Sequence, residues 1–172
     1  MTTLEVRWFC SGTVPQEVVA WFESSIGTPH PPEERTDLYF SLGAERLNVK
    51  QRQNRLELKW RQEQLEWRFS DRLQGYLERW QKWSLLPAIP QILLPGWVEV
   101  EKRRSQRQHR GLSYELTHLT LKGGLWWSLA VESPDRDEIE FEQLVQQIFQ
   151  HYPGPHLTSQ ESFAYPRWIS RR

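Results

Sequence analysis

Three successive stretches, Leu47-Asn-Val-Lys-Gln-Arg52, Leu56-Glu-Leu-Lys-Trp-Arg61 and Leu65-Glu-Trp-Arg-Phe69, each alternate apolar with polar or charged residues. A period of two predicts strands with two unlike faces. One face gathers Val49, Leu56, Leu58, Trp60, Leu65, Trp67 and Phe69; the other gathers Lys50, Arg52, Glu57, Lys59, Arg61, Glu66 and Arg68. On these strands alone, a charged face meeting water is an equally good reading, as in most antiparallel meanders. Cations at i, i+2 on successive strands nevertheless line up in rows. If the sheet curls until that face points inward, the rows line a positive cavity. A polyphosphate suits such a cavity, because guanidinium forks and ammonium point charges match phosphate oxygens.

A chain of 172 residues fits one domain spanning 1–172. Lys+Arg and Asp+Glu are balanced at 22 each, so no net field points to nucleic acid or an anionic membrane. Any anion site must be a local concentration of charge. The single Cys10 excludes a disulfide framework and a Cys-built metal site, which fits a cytoplasmic compartment. Cys10 reads as a small buried apolar group rather than a nucleophile. His151 and His156 match no metal-ligand spacing and read as surface histidines. There is no basic-then-apolar leader and no apolar run of membrane-spanning length.

Outward from the central stretches, Thr3–Phe9 alternates again, with Leu4, Val6 and Trp8 opposite Thr3, Glu5 and Arg7. Residues 15–22 predict a short helix with Thr13 as its cap, 27–32 a loop, and 36–41 a strand. Leu73, Tyr76, Leu77, Trp80 and Trp83 fall at helical spacing, which predicts a helix over 71–83 despite Gly75. The proline-flanked segment 86–96 reads as a connector. Residues 97–104 form a strand ending in Lys102-Arg103-Arg104, 105–111 a basic loop, and 113–122 with 125–132 a hairpin around Gly123-Gly124. Ser133-Pro134 starts a helix over 135–152. About eight strands with helices inserted irregularly between them favour an α+β, antiparallel sheet or barrel.

The order of these segments resembles the CYTH superfamily, the triphosphate tunnel metalloenzymes, whose members include CyaB-type adenylate cyclases and thiamine triphosphatases. Thr3-Leu4-Glu5-Val6-Arg7 is similar to that family's opening Glu-x-Glu-x-Lys strand. Residues 15–24 and Asp37-Leu38-Tyr39 resemble its first helix and the strand after it. Lys50-Gln51-Arg52 and Leu56-Glu57-Leu58-Lys59 resemble its Arg-x-Arg and Leu-x-Leu-Lys strands. Val100-Glu101-Lys102-Arg103-Arg104, Ala130-Val131-Glu132 and the tail 162–168 follow in the same order.

The resemblance implies an eight-stranded antiparallel β-barrel or tunnel with helices packed outside. Arg7, Lys50, Arg52, Lys59, Arg61, Arg68, Lys102, Arg103 and Arg104 would hold a triphosphate or polyphosphate, and Glu5 with Glu132 would hold Mg²⁺ or Mn²⁺. Glu57 and Glu66 read as substitute ligands or as charge partners. Two departures bear on activity: Thr3 and Ala130 stand where the family carries the first Glu of each acidic pair. One metal on Glu5 and Glu132 with bound triphosphate stays compatible with this set, a second does not. The expectation is therefore anion binding, with metal-dependent triphosphate hydrolysis weakened by the two lost carboxylates. The alternative is a non-catalytic anion-binding or interaction scaffold on the same fold. Adenylate cyclase activity is not expected, because nothing reads as a base-recognition pocket. Val98 and Val100 share parity with Lys102 and Arg104, so strict alternation turns Arg103 inward unless a bulge intervenes. Adjacent Trp126 and Trp127 point to opposite faces, so one is expected to enter the tunnel or cap its mouth; Trp126 shares parity with Ala130 and Glu132, where it would narrow the cavity.

Overall fold

A computed structural model describes residues 1–41, 43–53, 55–85 and 95–171. Among the described residues eight strands form: β1 (Thr2–Ser11), β2 (Thr28–Phe40), β3 (Leu47–Arg52), β4 (Arg55–Ser70), β5 (Leu73–Leu85), β6 (Trp97–His109), β7 (Leu112–Leu121) and β8 (Gly124–Pro134). They close into a barrel in the order β1-β5-β4-β3-β2-β6-β7-β8, and every neighbouring pair is antiparallel. The helices among the described residues are α1 (Gln16–Ser24), α2 (Glu138–Ile148) and α3 (Tyr165–Ser170). No helix among the described residues is long and apolar enough to cross a membrane.

The alternation that opens the chain works as predicted. Leu4, Val6 and Trp8 on the outer face of β1 are buried with Leu77, Leu116 and Leu129 beneath α1 and α2, which contribute Val18, Phe22, Phe141, Leu144 and Val145. A second apolar cluster lies inside the barrel. Phe9, Tyr39, Val100 and Leu119 sit on inner faces and receive Tyr165, Trp168 and Ile169 from α3. Phe9 stacks on the Trp168 ring at 4.7 Å between centroids, and Trp126 meets the same ring edge-on at 6.0 Å. α3 therefore plugs one end of the barrel, leaving polar side chains to fill the rest.

Several local expectations are corrected. The expected helix over 71–83 is instead a turn at 71–72 followed by β5. Leu73, Leu77 and Trp83 lie on one strand face, and Tyr76 and Trp80 on the other, so a strand apolar on both sides imitates helical spacing. The second and third central strands are one strand, β4, whose register shifts between Arg61 and Glu63. That bulge reverses parity and keeps Leu58, Trp60, Leu65 and Trp67 on one side. Of the expected loop 27–32, residues 28–32 are extended as the start of β2. Its prolines are tolerated because β3 pairs with β2 only at Leu38–Phe40, leaving this part an edge. β6 runs through the expected basic loop to His109, and Arg110-Gly111 and Lys122-Gly123, all at positive φ, make the two tight hairpins flanking β7. Asp137, rather than Ser133-Pro134, starts α2, its side chain accepting from the Ile139 and Glu140 amides. Thr13 does not cap α1, which begins behind Pro15 without a side-chain cap. Within the expected connector, 86–94 lie outside the described residues.

Candidate functional site

The polar part of the barrel holds a cavity of about 90 Å³ lined by eight cationic side chains, Arg7, Arg35, Lys50, Arg52, Lys59, Lys82, Lys102 and Arg104. Three carboxylates, Glu5, Glu115 and Glu132, share the lining, with Tyr39, Trp80, Thr117 and the plug residue Tyr165. Arg52 and Lys82 are each 25% exposed and Glu132 36%, marking the mouth, whereas Lys102 is 3% exposed deep inside.

The lining is held by cross-strand ion pairs. Arg7 donates to Glu5 at 3.0 Å and to Glu115 at 2.8 Å, and Glu115 also accepts from Arg104 at 3.3 Å. Burial opposes ionisation of Glu115, yet Arg7 and Arg104 outweigh it and hold the carboxyl at about 2. Lys102 reaches Asp37 at 2.9 Å, donates to the Tyr39 hydroxyl at 2.6 Å, and sits 3.8 Å from the centroid of the Tyr165 ring. Burial nevertheless brings its ammonium down to about 8, with Arg35 and Arg7 adding repulsion to what Asp37 offsets. Arg35 pairs with Glu33 and, at 3.1 Å, with Asp37.

Two lysines have opposite surroundings. Lys59 lies 3.2 Å from Glu5 and 3.2 Å from Glu132, which face each other across β1 and β8. Burial disfavours its charge, but the two carboxylates override that and raise its pKa well above the usual lysine value. Lys50 lies 3.1 Å from Glu57 Oε2, and Lys82 lies 3.3 Å from the same oxygen. Burial, then repulsion from Lys102, pushes Lys50 down to about 8.

The predicted cations divide. Arg7, Lys50, Arg52, Lys59, Lys102 and Arg104 converge on the cavity. Arg61 is buried in the interior but away from the cavity, donating to Glu78 at 2.6 Å. Arg68 points to solvent and pairs with Asp71, because β1 pairs with β5 only as far as Glu78 and the β4–β5 hairpin overshoots the tunnel. Arg103 also faces out, 67% exposed, where strict alternation places it between two inward neighbours. The expectation that it turns inward fails because the barrel interior is apolar at the plugged end, so Val98 and Val100 face inward with Lys102 and Arg104. Of the two substitute acids, Glu57 turns inward and Glu66 is exposed. Sequence reasoning passed over Arg35, Lys82 and Glu115. The first two fall in segments read as non-strand or just outside the predicted strand. Glu115 was legible, since it shares parity with Thr117 on a strand already recognised.

The residues do not fit a divalent cation as the resemblance implies. Both Glu5 oxygens are engaged, Oε1 by Arg7 and Oε2 by Lys59. Position 130 offers a methyl group, and position 3 a buried hydroxyl without a hydrogen-bond partner. Glu78, opposite Glu5 on β5, is taken by Arg61, Gln64 and the Trp80 indole. No group of three or more His, Cys, Asp or Glu among the described residues is placed to hold a metal.

Solved structures share this architecture. The PH1012 protein of Pyrococcus horikoshii OT3 superposes with a TM-score of 0.57 at 18% identity, over 93% of each chain. A conserved hypothetical protein of Pyrococcus furiosus gives 0.57 at 13% identity, over 96% of this chain and 98% of its own. HpAC1 from Hippeastrum, a protein with a dominant triphosphatase activity, gives 0.54 at 10% identity, over 99% of this chain and 94% of its own. No family model and no curated protein matches the sequence. At these identities the likeness is one of fold, and the barrel is a CYTH-like tunnel.

Proposed function

We propose that the tunnel binds a compact, phosphate-rich anion of the triphosphate or polyphosphate class. The observation that carries this reading is the shortage of negative charge at Glu57, where Lys50 and Lys82 share one carboxylate oxygen beside the cavity. A buried ammonium brought down to about 8 is a charge its surroundings do not fully compensate. An anion entering from the Arg52 side supplies that compensation and restores the full proton affinity of Lys50 and Lys102. Arg35, Arg52 and Arg104 present guanidinium forks to the phosphate oxygens, and Lys50, Lys82 and Lys102 present point charges. The triphosphatase activity of one protein with this fold agrees with a triphosphate-sized occupant.

The reading is one of binding rather than hydrolysis. Activating water and polarising a phosphoryl group both depend on a placed metal in tunnels of the kind this one resembles. Here Thr3 and Ala130 supply no carboxylate, and Glu5 and Glu132 are committed to Lys59.

Thermal unfolding with and without tripolyphosphate, with inorganic sulfate as the control anion, tests the reading. Saturation at about a hundred times the dissociation constant adds about 2.7 kcal/mol, a shift of several degrees in a domain of this size. A shift with tripolyphosphate that falls to about half or less in Lys50→Met supports the assignment. No shift at millimolar tripolyphosphate, or an equal one in the variant, overturns it.

A further inference from the structure

We propose that the Lys59 ammonium is the resident cation of this tunnel, seated between Glu5 and Glu132 in place of a divalent metal, so that the anion is taken up without one. The inference rests on the binding reading for the anion but not for the cation. Glu5 and Glu132 are direct cross-strand partners on β1 and β8, and their carboxylates repel in a partly dry interior unless a positive charge stands between them. Lys59 supplies it from β4, where pairing with Asn48 and Lys82 fixes its place, at 3.2 Å from each carboxylate. Arg7 binds the remaining Glu5 oxygen, so each oxygen of that carboxylate already faces a cation. A hard divalent ion would have to displace the ammonium and find oxygen ligands where Thr3 and Ala130 stand. An ammonium carries three donors, and the two carboxylates use two of them. Lys59 also lines the cavity, so the third donor serves an anion oxygen much as a metal would.

Two titrations test this. Free Mn²⁺ is followed by electron paramagnetic resonance in the absence of any anion, for the wild type, Lys59→Met and Lys59→Arg. Tripolyphosphate affinity of the wild type is measured by calorimetry in Mg²⁺ and in chelator, corrected for complexation of tripolyphosphate by Mg²⁺. The expected result is Mn²⁺ binding at least about tenfold tighter in Lys59→Met than in the wild type or Lys59→Arg, with wild-type tripolyphosphate affinity alike within about twofold in both media. Mn²⁺ binding to the wild type as tight as to Lys59→Met, or an affinity for tripolyphosphate raised about tenfold by Mg²⁺, overturns the assignment. Should Lys59→Met fail to fold, tight Mn²⁺ binding to the wild type still overturns it, and weak binding to both wild type and Lys59→Arg upholds it. Failure of tripolyphosphate to bind at all removes the anion reading alone, since the Mn²⁺ series decides the cation independently.

Discussion

Around Lys59, one ammonium serves two carboxylates; around Glu57, one carboxylate oxygen serves two ammonium groups. The two arrangements occupy the same cavity, on adjacent strands, with side chains of the same type and similar burial. Their electrostatic outcomes are opposite. Burial works against both lysines, but Glu132 and Glu5 lift Lys59 above the ordinary range while Lys50 falls to about 8. A buried charge with more partners than it needs is part of the scaffold. A buried charge with too few is, on the proposed reading, the one that a ligand completes. Counting cations alone would have missed the distinction, because it lies in where the acids stand.

Acid should break the well-partnered wall first. The folded-state pKa of Glu115 is depressed to about 2, so its stabilising contribution is present above the unfolded value of 4.5 and is lost as pH falls from there towards 2. The expected loss for this group is about 3 kcal/mol, read from urea unfolding at pH 7 and at pH 2.5. Glu5, depressed by Lys59 and Arg7 against its burial, adds to the loss with the same sign.

The same substitution on the two walls should have unequal effects. Lys59→Met leaves Glu5 and Glu132 facing each other and costs about 2–3 kcal/mol, the low end for a broken buried pair because Glu132 is partly exposed. Lys50→Met leaves Lys82 on Glu57, so stability stays within about 1 kcal/mol of the wild type, while tripolyphosphate binding weakens about tenfold or more. Equal destabilisation of the two variants would erase the contrast.

Alkali sharpens it further. The folded-state pKa values of Lys50 and Lys102 lie at about 8, below the unfolded value of 10.5, so between these limits the unfolded chain binds more protons. Stability of the ligand-free protein therefore rises with pH across that window, by about 1 kcal/mol per lysine between pH 8 and 9. Tripolyphosphate affinity falls over the same range, and calorimetry near pH 8.5 should show protons taken up on binding. The smallest effect is expected outside the tunnel. Arg68→Ala removes an exposed pair with Asp71 and should change stability by less than about 0.5 kcal/mol and tripolyphosphate affinity not at all.

Strand alternation made the antiparallel strands and one wall of the cavity legible from sequence, because Lys50, Arg52 and Lys59 stand opposite apolar residues that need cover; closure of the sheet was implied only by the family resemblance. It failed where a strand is apolar on both faces, as at 71–83, and there it hid Lys82. It failed again on β6, where Val100 and Lys102 share the inner face because one end of the interior is plugged and the other is wet. Arg68 could not be placed from parity at all, since it depends on where the barrel ends rather than on which way the strand faces. The partnership of each lysine was beyond reach for a related reason. Lys59 meets Glu5 and Glu132 only after the sheet has closed and brought residues 54 and 73 positions apart within a bond's length.

The α3 plug decides what kind of vessel the barrel is. With Tyr165, Trp168 and Ile169 packed into one end against Phe9 and Tyr39, that end is a floor rather than an exit. Anything admitted past Arg52 leaves by the way it came. A cup of this kind accepts the terminus of a chain molecule but cannot thread it, so long and short polyphosphates should compete for it end by end, with affinity levelling off once a few phosphate units reach the floor.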